Sequence, residues 1–393
     1  MHEKITHSIW VAASLLALAA MACSLGGAEA TATPLPRPTQ RPLATSTTAP
    51  ALPTSTRAAP KTTPTEQPQA TDVPTDVATG VATDTGTSAA PFTLSSTPYK
   101  HKTGAFTITL PDGWKPEEGN NSVFAASPDK VSSIDITFTN VGSKFDAATL
   151  DTVIKAEEAN WFALNKDYKA RPEEKQSDGS ILIYKTFTLD DGTPETAFSY
   201  YWQDGTVVYE QDFWVETDLY DQYAKSLVQV ANTMKTDPAA GAKADPYAVV
   251  YTYTDPNSLF QFDVPYAWTH DSTITSTSDV ETFTSPDNLS YFENIAYDDG
   301  TTVSKSDAGQ FALDLLKQYY KLTDLVVTND QQQGDGSERL TWNSAQQGID
   351  GESFFETRGT TFLLLTWVAD SSKADFFKPV WSTLVNSYKV PQP

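Results

Sequence analysis

Cysteine and histidine are the scarcest chemically versatile residues in this chain of 393 residues. Cys23 is the one cysteine, and only four histidines occur. A single thiol cannot form an internal disulfide, which excludes two-cysteine redox centres and cysteine-rich metal sites. Beyond residue 23, only His101 and His270 remain, and a zinc site or a Ser-His-Asp triad needs more than these two offer.

Familiar catalytic motifs are also missing from the sequence. It contains no Gly-x-Ser-x-Gly elbow, glycine-rich phosphate loop, His-Glu-x-x-His motif or EF-hand pattern. An enzyme that works with two carboxylates stays open as an alternative, because 50 acidic residues supply many pairs. We therefore expect a non-catalytic protein with no catalytic residues, no cofactor and no built-in metal site.

Basic residues are in deficit. The chain has 27 lysines and arginines and 50 acidic residues, which gives a formal net charge of −23. A negative field repels phosphate backbones, so we expect no nucleic-acid partner. The excess either keeps the protein soluble outside the cell or offers a docking surface for cations and basic partners.

Aromatic residues are absent between Trp10 and Phe92. The stretch 24–98 instead holds 12 of the 25 prolines, together with many threonines, alanines and serines. Without large apolar side chains, nothing offsets the chain entropy lost on folding. We therefore predict a disordered stalk over residues 23–94.

The first residues have the features of an export signal. Lys4 precedes an apolar run over 9–22, which is too short to span a membrane comfortably, and small residues follow. The sequence Ala-Met-Ala-Cys ending at Cys23 resembles a bacterial lipobox, although Ala20 stands where leucine is usual. The resemblance implies a signal peptide over 1–22 and a lipid on Cys23 that anchors the protein to the outside of the cell membrane. An ordinary signal with an incidental cysteine is the alternative.

Two segments repeat at one offset. FTITLPDGW at 106–114 is echoed by FQFDVPYAW at 260–268, an offset of 154 residues, and 206–235 aligns with 360–389 at the same offset. A repeat of this length indicates a duplicated structural unit. We predict two modules, over 95–236 and 248–393, joined by a linker over 237–247.

The two modules are predicted to contain strands and helices in the same order. Period-two alternation predicts strands at 106–110 and 134–138, and further strands near 180–189, 196–203 and 206–215. Asp-Gly at 204–205 favours a tight hairpin between the last two. A closing helix follows at 218–233, and at 371–388 in the second copy.

A further helix lies between the second and third strands of each module. In the first copy Asp146 is its predicted N-cap, and in the second copy Ser304 or Ser306 begins it. The inward face of the first helix is predicted to carry Leu150, Ile154, Trp161 and Leu164. Strands, helix, meander and helix together give an α+β fold with a largely antiparallel sheet.

The motif F-x-I-x-L-P followed by Gly113-Trp114, with Ser-Pro-Asp at 127–129, resembles the PsbP/Mog1-like superfamily. The second copy departs from it at Tyr266-Ala267. The resemblance implies two tandem α-β-α sandwich modules and non-catalytic binding or assembly work. It brings no catalytic residues.

Aromatic side chains are the candidate contact residues. Tyr200, Tyr201, Trp202 and Tyr209 put rings on both faces of the predicted meander, so that Tyr200, Trp202 or Tyr209 could meet a sugar or a partner protein. The resemblance implies instead that helices cover both faces and that every ring is core, and we favour this interpretation. Trp114 and Trp268 are expected to close the edges of the two cores rather than to stack on a ligand.

Calcium is the metal that the acidic residues suggest. Asp-Asp-Gly-Thr occurs at 190–193 and at 298–301, as in calcium-binding loops. The two tetrapeptides do not align with each other in the duplication, and Asp-Gly is also ordinary turn chemistry. We favour the turn.

These observations lead to one functional expectation. A lipid-anchored extracytoplasmic protein would use its modules to bind a protein partner or to assist an envelope assembly. Binding of a carbohydrate or small solute is the alternative, and a carboxylate-based hydrolase is less favoured.

Overall fold

The computed structural model describes residues 91–334 and 336–390. Within them, the backbone forms two large antiparallel sheets with helices beside them, which is the α+β class that the sequence predicts. The predicted signal peptide, Cys23 and most of the predicted stalk lie outside the described residues. In the described ranges, no helix has the length and apolar character needed to cross a membrane.

The first half, residues 91–247, contains the larger sheet. Its strand order is β3-β4-β5-β10-β9-β8-β6, with β7 on β8, and β1-β2-β11 form a small separate sheet. The elements are β1 Tyr99–Lys100, β2 Phe106–Ile108, β3 Lys115–Glu118, β4 Ser122–Ala126, β5 Ser132–Asn140, α1 Ala147–Asn160, β6 Lys166–Ala170, β7 Glu174–Lys175, β8 Ile181–Thr188, β9 Pro194–Asp204, β10 Val207–Glu216, α2 Tyr220–Ala231, β11 Lys235–Thr236 and α3 Pro238–Gly241.

The second half, residues 248–390, repeats this plan. Its large sheet has the order β14-β15-β16-β20-β19-β18-β17, and β12 pairs with β13. The elements are β12 Val250–Thr254, β13 Gln261–Pro265, β14 Thr269–Ile274, β15 Ser278–Thr284, β16 Ser290–Tyr297, α4 Ala308–Tyr320, β17 Val326–Gln332, β18 Glu338–Ser344, β19 Ile349–Arg358, β20 Thr361–Asp370 and α5 Ala374–Ser387.

Local signals place several of these elements. Asp146 caps α1 as predicted, because its carboxylate accepts a 2.8 Å hydrogen bond from the Thr149 amide. The β9–β10 hairpin turns at Gly205-Thr206, one residue later than predicted, since Asp204 pairs with Val207. Gly205 has φ of +61°, which glycine adopts without a steric penalty.

Two expectations about the middle helices are wrong. Helix α1 ends at Asn160, and a 3₁₀ turn over Phe162–Leu164 leaves the side chain of Leu164 76% exposed rather than inward. Helix α4 begins at Ala308, after both predicted starting serines. Ser304 instead donates a 2.7 Å hydrogen bond to the Asp307 carboxylate within the preceding turn.

Helices cover both faces of each large sheet. On the first sheet, Leu227 of α2 shares a buried cluster with Tyr200, whereas Ile154 of α1 packs with the neighbouring Tyr201 on the opposite face. On the second sheet, α5 and α4 divide the faces of β20 in the same way, at Leu365 and Leu364. This is the predicted sandwich, in which adjacent strand residues serve two separate layers.

The two halves pack directly against each other. Val141, Val153 and Val208 of the first half belong to the apolar cluster that contains Trp268 of the second. The side-chain amide of Asn160, at the end of α1, donates to the main-chain oxygens of Tyr266 (2.8 Å) and Trp268 (3.1 Å). The segment predicted as a linker, 237–247, contains α3 and ends in the buried Tyr247.

Candidate functional site

A cluster of carboxyl side chains lies between α1 and the first sheet. Glu210 and Asp212 alternate on β10 and therefore face the same side, and Asp135 on β5 pairs with Asp212 across the sheet. Helix α1 adds Glu157 and Glu158 from above. Four of these residues are buried. Asp135 is half-buried, and its Oδ1 atom is fully buried. We call these five residues the carboxyl cluster.

Lys185 is the cation that meets the carboxyl cluster. Its fully buried ammonium group contacts the Glu158 carboxylate and lies 3.7 Å from an oxygen of Asp212. It also lies 3.1 Å from the centre of the Phe162 ring, a cation–π contact. One positive charge therefore stands against five carboxyl groups.

Hydroxyl groups fix two of the carboxyl groups. Glu158 accepts hydrogen bonds from Tyr201 (2.9 Å) and from Tyr168 (2.5 Å), one on each oxygen. Ser199 donates to Asp212 from the neighbouring strand. Both oxygens of Glu158 are thus hydrogen-bonded, which fixes the orientation of its carboxyl group.

In the rest of the carboxyl cluster, bound protons must offset the burial of the carboxyl groups. One oxygen of Glu157 and one of Asp135 are buried without a hydrogen-bond partner. Burial, together with the neighbouring carboxylate of Asp212, raises the pKa of Asp135 to about 7 and that of Glu157 to about 8. Burial and the adjacent Glu157 likewise raise the pKa of Glu210 to about 8, and the pKa of Asp212 lies well above its usual range. Several of these groups therefore hold protons at neutral pH.

An open cleft of about 470 Å³ leads to one side of the carboxyl cluster. It lies between α1 and the strands β6 and β8, and Glu158 and Tyr168 line it. Its rim carries both signs of charge, from Asp151, Lys155, Arg171 and Glu173. Glu158 therefore joins the cleft to the carboxyl cluster, and the cleft suits a small polar solute.

The second sheet lacks a comparable group at the same position. There Glu293 on β16 pairs with Thr366 on β20, and the residue two before Thr366 is the apolar Leu364. Glu293 accepts hydrogen bonds from Tyr320 (2.9 Å) and Thr282 (3.0 Å), so both its oxygens are partnered. The fold itself therefore does not require five carboxyl groups between helix α1 and the first sheet.

The predicted aromatic contacts lie inside the protein. Tyr200 is 3% exposed, Trp202 9% and Tyr209 0%, and the rings of Trp202 and Tyr209 stack at 5.4 Å. These three rings are part of the core, in agreement with the interpretation that both faces of the meander are covered. Helix α2 and the small β1-β2-β11 sheet cover their face, so the three rings are not surface contacts. Trp114 and Trp268 are buried as expected.

The two Asp-Asp-Gly-Thr segments form turns. In the first, the amide of Thr193 donates to the Asp191 side chain, and Gly192 has a φ of +88°. In the second, Gly300 and Thr301 amides are bonded in the same manner by the aspartates before them. This geometry is that of local aspartate turns.

Sequence reasoning missed the carboxyl cluster although a signal was present. Glu157-Glu158 was noticeable as an acidic pair, but the alternation of Glu210 and Asp212 within the apolar strand YEQDFWV is the stronger indication. Two acids on one face of a central strand cannot both reach solvent when a helix covers that face. Their partner Asp135 is distant in sequence, and only the sheet register brings it close.

Comparisons with known proteins concern the fold alone. No protein-family model matches the sequence, and no curated protein matches it. Among solved structures, the chain is similar to the cyanobacterial PsbP protein CyanoP from Synechocystis, with 13% identity over 40% of this chain and 98% of that one, and a TM-score of 0.28.

Two further solved structures show similarity at the same level. One, a protein of unknown function from Pseudomonas aeruginosa, is 15% identical over 36% of this chain and 97% of its own, with a TM-score of 0.26. The other, from Bacteroides thetaiotaomicron, is 13% identical over 67% of this chain and 87% of its own, also with a TM-score of 0.26. These likenesses assign no activity to this chain.

Proposed function

We propose that this chain is a non-catalytic lipoprotein, anchored outside the cell membrane through Cys23, whose two PsbP/Mog1-like modules bind a protein partner. The outer strand β17 of the second sheet is the proposed contact. An extended segment of the partner would add to this edge as a further strand, with main-chain hydrogen bonds supplying affinity.

The duplication is supported by equivalent pairings at a single offset. Gly205 and Gly359 begin the corresponding hairpin turns, with φ of +61° and +63°. Lys235 pairs with Thr107 in the first half, and Lys389 pairs with Gln261 in the second. All of these positions are separated by the 154 residues of the sequence repeat, and the two large sheets have the same strand order.

The observation that carries the proposed contact is the open edge of β17. This strand forms one border of the second sheet, and all seven of its side chains are exposed. Val326 is 55% exposed and Val327 36%. Its sequence, VVTNDQQ, contains one charge and no proline. A bulge at Thr328 interrupts the pairing with β18, and the strand is regular beyond it.

The borders of the first sheet are protected by comparison. Strand β3 reads KPEE, so three of its four residues are charged and the fourth is proline. Strand β6 reads KDYKA, with three charges in five residues. Charges and proline on an edge strand oppose pairing with another chain. The edge at β17 lacks this protection, which favours it as a docking strand.

Cross-linking in cells tests the proposed contact. A photo-crosslinking side chain placed at Gln331 of β17 should form an adduct with one defined protein, whereas the same group at Glu117 of β3 should not. Lysines introduced at the exposed positions Val326 and Val327 should leave the fold intact and lower the adduct yield roughly tenfold, the equivalent of about 1.4 kcal/mol. Equal adducts at Glu117, or an unchanged yield in the lysine variant, would contradict the proposal.

The anchor is tested separately by Cys23→Ser. If Cys23 carries the lipid, this variant should leave the membrane fraction and appear in the soluble extracytoplasmic fraction or the medium, because a hydroxyl cannot form the thioether. Ser24→Ala serves as a control that keeps the cysteine. Membrane fractionation of Cys23→Ser that matches the wild type would exclude the lipid anchor.

Solute binding is a second candidate, and the 470 Å³ cleft favours it. Charges of both signs and the Tyr168 hydroxyl would contact a small polar molecule such as a sugar. Within the described residues, the carboxyl cluster gives little support to a hydrolase. Of its members, only Glu158 lines the cleft.

A further inference from the structure

Three buried carboxylates meet in the second half, away from the carboxyl cluster and from β17. Asp255, Asp279 and Glu281 each place an oxygen within 4.8 Å of the others. Their exposed fractions are 1%, 7% and 1%. Burying like charges so close together is costly unless something compensates them.

The fold holds these residues in place from two elements. Asp279 and Glu281 alternate on β15 and so face one side of the sheet. Asp255 follows β12 and opens the turn to β13, where the Ser258 amide donates to the Asp255 main-chain oxygen at 2.7 Å. Ser258 has a φ of +59°, a left-handed conformation that tightens the turn.

One oxygen of each aspartate has a partner, and the other has none. Asp255 Oδ2 accepts a 3.0 Å hydrogen bond from the Leu259 amide, and Asp279 Oδ2 accepts a 2.9 Å bond from the Asn257 side chain. The Oδ1 atoms of Asp255 and Asp279 are buried and receive no hydrogen bond. Each partnered oxygen orients its carboxylate and leaves the second oxygen available to a ligand.

Glu281 is positioned by its neighbours on the edge strand. Ser272 donates a 2.8 Å hydrogen bond to Glu281 Oε1, and the His270 ring contacts Oε2. The imidazole of His270 in turn stacks on Phe283, with ring centres 4.4 Å apart. Even a protonated His270 would offset only one of the three negative charges.

We propose that Asp255, Asp279 and Glu281 bind a divalent cation of the calcium type. Calcium is held by carboxylate oxygens at about 2.3–2.6 Å, so oxygens on opposite sides of the ion stand up to roughly 5 Å apart. The observed spacing fits this range, and the Oδ1 atoms of the two aspartates receive no hydrogen bond that would compete with a cation. The ion joins the β12–β13 hairpin to β15. This site is independent of the proposed partner contact at β17.

Calcium titration of the full chain tests the proposal. After chelator treatment, addition of calcium chloride should give saturable heat in calorimetry, with a dissociation constant on the order of 10⁻⁴–10⁻³ M, and should raise the melting temperature. Asp279→Asn and Asp255→Asn should each weaken calcium binding by at least about tenfold, since each replaces a charged ligand with a neutral one. Asp299→Asn, in the exposed Asp-Asp-Gly-Thr turn, is the matched control and should bind as the wild type does.

The melting temperature measured in the presence of chelator distinguishes loss of the cation site from misfolding. Without the ion, Asp279→Asn removes repulsion and should melt at or above the wild-type temperature, while the rise induced by calcium disappears. If Asp279→Asn does not fold, Asp255→Asn or Glu281→Gln provides the same comparison. The absence of any heat or shift with calcium, magnesium or manganese would overturn the proposal, as would equal loss of binding in Asp299→Asn.

Discussion

Trp268→Ala should lower the free energy of unfolding by about 3–5 kcal/mol, because it removes a large buried side chain and leaves a cavity. The side chain of Trp268 is 0% exposed. Its ring stacks on Phe292 at 4.8 Å and meets Tyr247 and Phe377 edge to face at 5.7 and 6.0 Å. Urea denaturation of the full chain gives the measurement.

Two comparisons make this prediction specific. Trp114→Ala should cost a similar amount, since Trp114 is 6% exposed and packs edge to face on Phe92 at 5.5 Å. Ile274→Ala removes an apolar side chain that is 66% exposed and should change stability by no more than about 0.5 kcal/mol. If Trp268→Ala unfolds at the wild-type urea concentration, the ring is not a core residue.

The protein should lose stability as the pH rises from about 5 to about 9. Asp135, Glu157, Glu210 and Asp212 have folded-state pKa values above those of free carboxyl groups. Between the unfolded and folded values, the folded protein binds more protons, so each step up in pH favours unfolding. Each extra proton bound by the folded protein steepens the loss of stability by about 1.4 kcal/mol per pH unit. The melting temperature, measured at several pH values, should therefore fall across this range.

Neutral replacements within the carboxyl cluster provide the matched variants. Glu210→Gln should flatten the decline, because a side chain that never ionises has no charge to bury at high pH. Asp190→Asn, in an exposed turn, should keep the wild-type slope. A melting temperature that is constant or rises across this range would show that the carboxyl cluster is not protonated in the folded protein.

The sequence predicts the local structure of this protein well. Strand alternation, the Asp146 cap and the glycine hairpins depend on neighbours a few residues apart, and they appear close to where they are expected. Leu164 is an exception: the helix ends at Asn160, and the Phe162–Leu164 turn directs that side chain outward. Helical periodicity continues past a helix end without marking it.

Both candidate sites depend on distances that no local pattern encodes. Asp135 and Asp212 meet through the register of β5 and β10, and Asp255 reaches Asp279 through the packing of a hairpin on a sheet. The sequence shows these acids as ordinary polar residues, which are mostly exposed in proteins. Tyr209 shows the opposite case, since its strand position alone would allow solvent exposure and a second covering layer places the ring in the core.

The packing of α1 on the second half makes the corresponding turns of the two halves differ in their surroundings. In the first half, the turn before Trp114 exposes Asp112 and Gly113 to water and needs no cover. In the second half, Tyr266 takes the corresponding place, and Asn160 of α1 bonds its main-chain oxygen.

The two halves are therefore not interchangeable in the chain. The turn at residues 112–113 in the first half is exposed, whereas the turn at Tyr266 in the second half contacts helix α1. If the order of the halves were exchanged, Tyr266 would lose its contact with α1. Asp112 and Gly113, which now face water, would instead lie against the end of a helix. Residues 266–268 thus take part in the contact between the two halves, whereas residues 112–113 face solvent.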